Sequence, residues 1–512
     1  MLPPLAYSVA RVREAEEAFP GELSDGTLMA RAAWAASQVA IRMLHEDGHA
    51  LTGAHVVILT GSGNNGGDAL WVGAHLAARG ADVKAITTST DVHAAGLTAL
   101  LRAGGGRCSW TTAPERAVQL LSQADLMVDG LVGIGAKGPL RAPAADLVRA
   151  ADGVGARVLA VDLPSGIDAD TGAVPGVVLP ADRTVTFGCA KPGLLVSPGC
   201  TVVGQLDIVD IGIATALTDP ACQWLSTDDV VALRAQLQLR ATDHKYQRGV
   251  VGVVAGSRRY PGAALLTVGA ALRSGIGMVR FLDRDDGCAD DVVRRYPEVV
   301  IADTPQQRGQ RVDAWVCGPG LSQEAVPTVE AILHTDVPVV LDATALTILA
   351  DEVPVQECCT LRQAPTVLTP HYGEARRLAR AFAVDLVGEP LRDAQFLAQA
   401  TGCIVLLKGP GTVIAGAGVP WVSRTAGAEL SCAGSGDVLS GLLGGLLAVK
   451  AARSTDSPEA ASVDEHSCAE VAALAAHLHG LAGQHARDVS GQRGNVIATD
   501  LIAALALADR SH

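Results

Sequence analysis

Aromatic residues are scarce in this chain: five Phe, five Tyr and six Trp make up 3% of 512 residues. A basic excess is missing too, since 54 Asp and Glu outnumber 40 Lys and Arg to give a net charge of −14. That balance argues against a general nucleic-acid or anionic-membrane surface, while small anionic ligands can still be held by a local lysine and helix ends. The eleven cysteines include no Cys-x-x-Cys pair, leave one over after any full pairing and show no zinc spacing. They read as reduced thiols of a cytoplasmic protein. Arg11, Arg13, Glu14, Glu16 and Glu17 interrupt the first twenty residues, which excludes the apolar core of a signal peptide. The longest apolar run, Val438 to Val449, is broken by glycine and reads as too short to span a bilayer. No nucleic acid and no membrane is expected as a partner.

What is abundant is glycine, at 56 residues, within a composition 49% apolar. That combination fits a glycine- and alanine-rich α/β enzyme rather than a disordered or fibrous chain. At roughly 100 to 200 residues per domain, the length suggests two to four domains. Short apolar runs at 56–59, 126–128, 158–161 and 206–209 read as strands, with helical stretches at 69–79 and 143–151 between them. The alternation then restarts, with strands at 250–254, 278–282, 313–317, 338–341, 366–368 and 403–407 and helices near 262–274, 373–383, 437–450 and 467–487. Residues 216–228 read as a linker carrying Asp219-Pro220 and a helix cap. The expected organisation is therefore one domain over 1–215 and another over 229–512, with Arg453 to Glu465 a solvated loop inside the second.

The strongest local signal is Ala433-Gly434-Ser435-Gly436-Asp437-Val438-Leu439. Apolar residues at 438, 439, 442, 443, 446 and 447 form a helical stripe, which puts Asp437 in a first turn whose N–H groups lack partners. Such an end attracts anions. A phosphoryl group held there would lie beside a carboxylate able to take a proton from an attacking hydroxyl. Upstream, the strand at 403–407 runs into Lys408-Gly409-Pro410-Gly411-Thr412, a glycine-rich loop with a cation and a hydroxyl suited to nucleotide phosphates. Alone, that loop reads equally as a plain turn. Strand, loop and Gly-Ser-Gly-Asp helix start, in that order, resemble the ribokinase-like fold.

Gly61-Ser62-Gly63-Asn64-Asn65-Gly66 satisfies the dinucleotide fingerprint after a strand. The next strand ends in Thr87-Thr88-Ser89-Thr90, without the acidic residue that would hold a ribose, and Asp91 comes late. The pattern therefore argues against an ordinary nicotinamide oxidoreductase. Asn64 to Asp68 reads as a polar loop at a strand's carboxyl end, where α/β sheets place ligands. Asp129 and Asp162 follow two other strands, so three polar strand ends can meet in one pocket.

Together, Gly63 to Asp68, Asp162-Leu163-Pro164-Ser165-Gly166 and Ala190-Lys191-Pro192-Gly193 resemble the NAD(P)H-hydrate epimerase domain, also called the YjeF N-terminal domain. His244 to Gly249, Gly256-Ser257, Tyr260 to Ala264, Gly318 to Leu321, Thr369-Pro370-His371 and Gly434 to Asp437 resemble the ADP-dependent NAD(P)H-hydrate dehydratase domain. The fused order is similar to that of bifunctional NAD(P)H-hydrate repair enzymes. The resemblance implies two doubly wound, three-layer α/β units, the first Rossmann-like of YjeF type and the second ribokinase-like. It also implies epimerisation of the R and S hydrates of NADH and NADPH (NADHX and NADPHX), and dehydration of the S form at the expense of ADP.

The chemistry the resemblance implies needs a base in each domain, for which Asp437 and Asp162 are the catalytic candidates, with Lys191 supporting an anionic substrate or intermediate or, alternatively, a solvated loop cation. Carried over residue by residue, the resemblance assigns the hydrate to Asn64, Asn65, Gly66, Gly67, Asp68, Gly133, Ile134, Gly135, Ala136, Lys137, Gly138, Pro139 and Asp162 in the first domain. In the second it assigns Ala263, Gly320, His371 and Asp437, with His371 alternatively a cap on the helix that carries Glu374. Lys408, Gly409, Pro410, Gly411, Thr412 and Gly436 fall to the adenine nucleotide, and Asn65, Asp129 and Ser165 to a K+ ion, with Mg2+ accompanying ADP. Homo-oligomeric assembly is expected of such an enzyme. The chain departs from the family pattern at Ala426 to Ser431, at Thr344 and Thr347, where Asp and Asn are usual, and at Tyr372; Glu429 is expected to face solvent. A ribokinase-like small-molecule kinase fused to a nucleotide-binding domain is the alternative.

Overall fold

The computed structural model describes residues 4–284, 287–305, 311–455, 463–491 and 496–508. Leu5–Ala221 forms one unit, and Cys222–His512 with Pro4 belongs to the other. The first unit is built on seven strands: β1 (His55–Thr60), β2 (Asp82–Thr87), β3 (Gly106–Ser109), β4 (Leu126–Gly130), β5 (Arg157–Val161), β6 (Arg183–Phe187) and β7 (Gln205–Val209). They pair in parallel in the order β3-β2-β1-β4-β5-β6-β7. Alternate side chains of β1 go to two different cores. Val56 and Ile58 meet the helices Thr27–Glu46 and α2 (Asn64–Ala77), whereas Val57 and Leu59 meet Pro114–Ser122 and Ala144–Ala151. Burial on both faces is what a continuous apolar strand requires, and it produces three layers.

The strand order reverses between β1 and β4, opening a crevice at the carboxyl ends. There the glycines of the dinucleotide-like fingerprint act as packing elements. A Cβ at Gly61 would lie 2.1 Å from the Leu131 carbonyl oxygen, and one at Gly66 would lie 2.5 Å from that of Gly61. The expected polar loop at 64–68 is instead the first turn of α2, because Gly63 is already extended and Gly67 N–H donates back to Gly63 O. β6 escapes an apolar-run reading because Thr184 and Thr186 alternate with its apolar residues; both are fully buried and hydrogen-bonded.

The second unit contains β8 (Val250–Val254), β9 (Met278–Leu282), β10 (Val300–Ala302), β11 (Ala314–Cys317), β12 (Val339–Leu341), β13 (Thr366–Leu368), β14 (Ile404–Leu407), β15 (Thr412–Ala415) and β16 (Trp421–Ser423). Their order is β16-β15-β14-β13-β12-β11-β8-β9-β10, parallel except for the antiparallel pairs β14/β15 and β15/β16. The short strand Cys222–Gln223 pairs with Trp421 beyond β16. Gly252 sits in the middle of β8 because the Trp315 ring occupies the space of its missing side chain, 2.3 Å from an added Cβ.

Helices α3 (Pro261–Leu272) and α5 (Ser435–Thr455) cover one face of this sheet. α5 exceeds the expected span: Ser435–Ser454 is long and apolar enough by composition to cross a bilayer, yet 78% of it is buried inside the unit, so it is a core helix. Arg453, expected in a solvated loop, is its last basic residue and pairs with Asp243 at 2.9 Å; residues 456–462 lie outside the described residues. Gly61→Ala is expected to cost about 1–3 kcal/mol through overpacking against Leu131. Urea denaturation checks this, with Gly21→Ala, where no atom lies within 4 Å of the added Cβ, as the near-neutral control.

Candidate active sites

In the first unit, the carboxyl ends of β1, β4, β5 and β6 and the helix α1 (Val9–Glu17) surround a cavity of about 480 Å³. Asp162 follows β5 in a left-handed conformation, φ 66°, and its N–H donates to Val185 O at 2.7 Å. Such a backbone is costly for a residue with a side chain and persists only where its surroundings enforce it. Lys191, 1% exposed and so no solvated loop cation, donates to Asp162 Oδ1 at 2.8 Å, Thr186 Oγ1 at 2.8 Å and Phe187 O at 3.0 Å.

Asp129 is fully buried. Its Oδ1 accepts from Ser165 Oγ at 2.7 Å and Leu131 N–H at 3.2 Å, and its Oδ2 from Ser165 N–H at 2.8 Å. Burial raises its carboxyl pKa, and these hydrogen bonds only oppose the shift. Asn65 Nδ2 donates to Val132 O at 2.9 Å, while Asn65 Oδ1 is buried without a partner. Asp68 Oδ1 is likewise buried and unpartnered, and burial, then the charges of Asp162 and Glu16, push this carboxyl well above the usual range.

Asn64, Asn65, Asp68, Gly133 to Ala136, Asp162 and Lys191 line the cavity as the sequence suggests. Gly66 and Gly67 do not: they pack against Gly61 and the His93 ring. Lys137, Gly138 and Pro139 lie beyond the lining, with Pro139 near Gly176. Arg13, Glu16 and Phe187 line the cavity without having been singled out. Nothing local marks Arg13 or Glu16, since α1 reads as a charged surface helix until the fold brings it to the strand ends.

The second site stands at the carboxyl ends of β8 and β11 to β14. Gly434, at φ 86°, turns the chain into α5, and Val438 N–H donates to Gly434 O at 3.1 Å. Ser435 N–H already donates to Cys432 O at 3.3 Å, whereas the first-turn N–H groups of Gly436 and Asp437 donate to no backbone carbonyl. Burial, then repulsion from Asp342, raises the Asp437 carboxyl to about 7, with Lys408 opposing the rise. Lys408 Nζ donates to Asp342 Oδ1 at 2.8 Å and lies 4.0 Å from Glu374. Burial alone would lower its pKa, but Asp342, Glu374 and Asp437 together raise it. An added Cβ on Gly436 would lie 3.3 Å from Lys408 Nζ, so helix start and lysine face one another.

Around this centre, Gly320 at φ 65° leaves room for Ala263, 2.6 Å from an added Cβ. Leu266, one turn along α3 from Ala263, lies 2.4 Å from a Cβ placed on Gly434. His371 caps α4 (Tyr372–Ala381): its Nδ1 accepts from Gly373 N–H at 2.9 Å and Glu374 N–H at 3.2 Å, and its Nε2 lies 3.6 Å from Glu374 Oε2. The cap also sets His371 beside Lys408, with which it forms a backbone bridge. Lys408 to Thr412 is the β14/β15 turn, and Thr412 Oγ1 closes it by donating to Gly409 O at 2.9 Å.

Sequence reading passed over the residues that hold this centre. Ser440 donates from Oγ to Asp342 Oδ2, and Ser435 Oγ meets His479 Nε2 at 3.2 Å. Burial lowers the His479 pKa to about 4, keeping it neutral. Glu429 is not at the solvent: its side chain is 7% exposed, 3.7 Å from Arg487 and packed on Gly483. At the departures from the family pattern, Thr344 Oγ1 donates to Leu321 O at 3.1 Å, Thr347 Oγ1 accepts from Arg377 at 3.0 Å, and Tyr372 donates to Asp393 at 2.8 Å.

A Rossmann-ordered sheet and a second, mostly parallel sheet, each with a buried aspartate paired to a lysine at its strand ends, define a two-unit α/β enzyme. A family model described as NAD(P)H-hydrate dehydratase matches residues 251–506, and one described as YjeF-related protein N-terminus matches 25–193. The bifunctional NAD(P)H-hydrate repair enzyme of Mycobacterium leprae (strain TN) is 42% identical over 447 residues, covering 86% of this chain and 89% of that protein. That of Corynebacterium glutamicum is 34% identical over 522 residues, 88% of each chain. A crystal structure of the ADP/ATP-dependent NAD(P)H-hydrate dehydratase from Bacillus subtilis, co-crystallised with ATP/Mg2+, is 27% identical with a TM-score of 0.43, over 55% of this chain and 96% of that one. The chain belongs to the family of bifunctional NAD(P)H-hydrate repair enzymes.

Removing Lys191 would leave Asp162 charged and buried without its partner. Lys191→Met is therefore expected to destabilise the first unit by about 3–5 kcal/mol. Arg149→Ala, which breaks a surface pair exposed on both sides, should cost less than about 1 kcal/mol; chemical denaturation of both variants checks the contrast.

Proposed function

We propose that the second unit removes water from the S form of NAD(P)H hydrate by phosphoryl transfer from ADP, with Asp437 as the general base. The observation that carries this reading is the place of Asp437 in the first turn of α5, at the helix start that faces Lys408, where burial and Asp342 push its carboxyl up to about 7. A base of that strength accepts a proton from the C6 hydroxyl at neutral pH and is a poor acceptor when acidified. The hydroxyl oxygen attacks the β-phosphorus, AMP departs, and the ring nitrogen's electron pair then expels phosphate as the proton leaves C5 to restore the double bond. Gly436 and Asp437 N–H donate to the transferring group, and such donors contribute about 3 kcal/mol each to transition-state stabilisation. Lys408 and the Gly409 to Thr412 turn hold the nucleotide phosphates, with Ala263, Gly320 and His371 along the hydrate. Among the described residues, no three carboxylates cluster at this centre closely enough to hold Mg2+ by themselves, which suits an ion carried chiefly by nucleotide phosphates. When bound, it neutralises charge developing on them.

The first unit interconverts the R and S hydrates, with Asp162 as the base that deprotonates water at C6 and Lys191 holding that carboxylate in place. Asn65 Oδ1, Asp129 and Ser165 would hold K+. Their fit rests on a fully buried carboxylate hydrogen-bonded only by neutral groups and on an unpartnered amide oxygen in the same network. These are hard donors suited to a group-one cation.

An R/S hydrate mixture supplied with ADP separates the two roles. The parent chain should restore the near-ultraviolet absorbance of the whole mixture and release one phosphate per hydrate consumed. Asp162→Asn should stop when the S form is exhausted; Asp437→Asn should bind nucleotide but lose dehydration by about 100-fold or more. Phosphate retained on the product would favour a kinase and overturn the reading. Because Asp437 must be unprotonated to act, the parent rate should rise with pH through about 7 and level off above it.

A further inference from the structure

The amino ends of β12 and β13 lie at the edge of the second sheet opposite Asp342 and Lys408, which follow strand carboxyl ends. Helix Val326–Leu333 leads into β12, and helix Val353–Leu361 leads into β13. Glu330 and His334 are four residues apart, one helical turn, so their side chains stand on the same face. Cys358 faces them from the neighbouring helix: one ligand atom each of Glu330, His334 and Cys358 lies within 4.8 Å of the other two.

Two further observations separate this group from a chance surface cluster. None of the three side chains shares a hydrogen bond with another described residue, although Glu330 and Cys358 are half-buried. The segments carrying them are also fixed to each other. Arg362, just past the helix of Cys358, donates to the carbonyls of Leu333, Thr335 and Val337 on both sides of His334, and to Thr366 Oγ1 at 3.1 Å. The staple thus fixes the backbone that carries His334 against the segment that follows Cys358.

We propose that Glu330, His334 and Cys358 bind a zinc ion that clips these two helices together, with water in the fourth position. A carboxylate oxygen, an imidazole nitrogen and a thiolate sulfur are the mixed donors that tetrahedral zinc accepts, whereas magnesium and calcium require oxygen alone. Ligand atoms around such an ion stand about 3.5 Å apart, so the observed spacing closes by rotation of Glu330 and the exposed His334. The cysteine arrangement shows no zinc spacing in sequence because the ligands come from two helices joined only by the fold. Its place at the strand ends opposite Asp342 and Lys408 keeps this site apart from the proposed dehydration.

The test uses the full chain, stripped of metal and titrated with Co2+ as a spectroscopic probe. One Co2+ per chain should bind with a thiolate-to-cobalt charge-transfer band, be displaced by stoichiometric Zn2+, and resist excess Mg2+. Cys358→Ser should abolish the band, and His334→Ala and Glu330→Gln should each weaken binding about tenfold or more, whereas Cys200→Ser should change nothing. Zn2+ should raise the thermal midpoint of the parent chain but not of Cys358→Ser, whose metal-free midpoint should match the parent's. A missing band, a band that survives Cys358→Ser, or affinity unchanged in His334→Ala would overturn the proposal.

Discussion

A lysine ammonium 2.8 Å from a buried aspartate is the interaction on which both sites depend: Lys191 with Asp162 in the first unit, Lys408 with Asp342 in the second. Each pair satisfies itself and leaves the adjacent carboxyl undercompensated. Beside Asp342, Asp437 is desolvated and repelled, and Lys408, already engaged, offsets only part of that cost. Beside Asp162, Asp68 and Glu16 are both raised, by burial first, even though Lys191 opposes the shift of Glu16. Burial thus raises the proton affinity of a second acid at each site, and the aspartate of the ion pair adds to that rise, the arrangement acid–base chemistry at neutral pH requires.

Holding these pairs imposes a backbone cost at the same strand ends. Asp162 is left-handed at φ 66°, and Ala343, the residue after Asp342, has φ 50°. Glycine would adopt either conformation more readily, so each departure must be enforced by its neighbours. For Asp162 those neighbours are Val185 O at its N–H and Lys191 and Thr186 at its carboxylate. At Ala343 the carbonyls on either side are engaged: Asp342 O accepts from Ala345 N–H at 3.1 Å and Ala343 O from Leu346 N–H at 3.1 Å. The turn therefore aims the Asp342 side chain back toward Ser440 and Lys408 while the chain starts the next helix.

Much of this was legible in sequence where local pattern and tertiary role coincide. The apolar runs at 250–254 and 278–282 are strands over those same residues, and the stripe from Val438 to Leu447 is the buried face of α5. Legibility fails where an element is polar but buried, or where a partner is remote in sequence. Thr184 and Thr186 disguise β6, and Asn64 to Asp68 looks like a loop because two Asn, two Gly and an Asp are poor helix interior residues, tolerated in a first turn whose amides need no carbonyl partner. Glu429 reads as a surface residue until Arg487 arrives from another helix, and His479 carries no signal because its partner, Ser435, lies 44 residues away. The restricted cavity lining, with Gly66 and Gly67 packed away from it, follows from helix geometry: only some residues of a turn can face one direction.

The scarcity of aromatic residues returns at the sites as a constraint on recognition. Phe187 is the aromatic side chain lining the first cavity, and at the second site Tyr372 is tied to Asp393 while Tyr260 lies half-exposed before α3. Among the described residues, neither site is built as a sandwich of rings. What these strand ends offer instead is directional donors and acceptors: first-turn amides, Asn64 and Asn65 in the cavity lining, and backbone carbonyls. Such groups recognise an added hydroxyl better than a ring face does, because an unmatched buried donor or acceptor is penalised whereas a stacking surface tolerates either ring. Discrimination of a hydrated ring from an intact one is therefore better served by polar strand ends than by aromatic stacking.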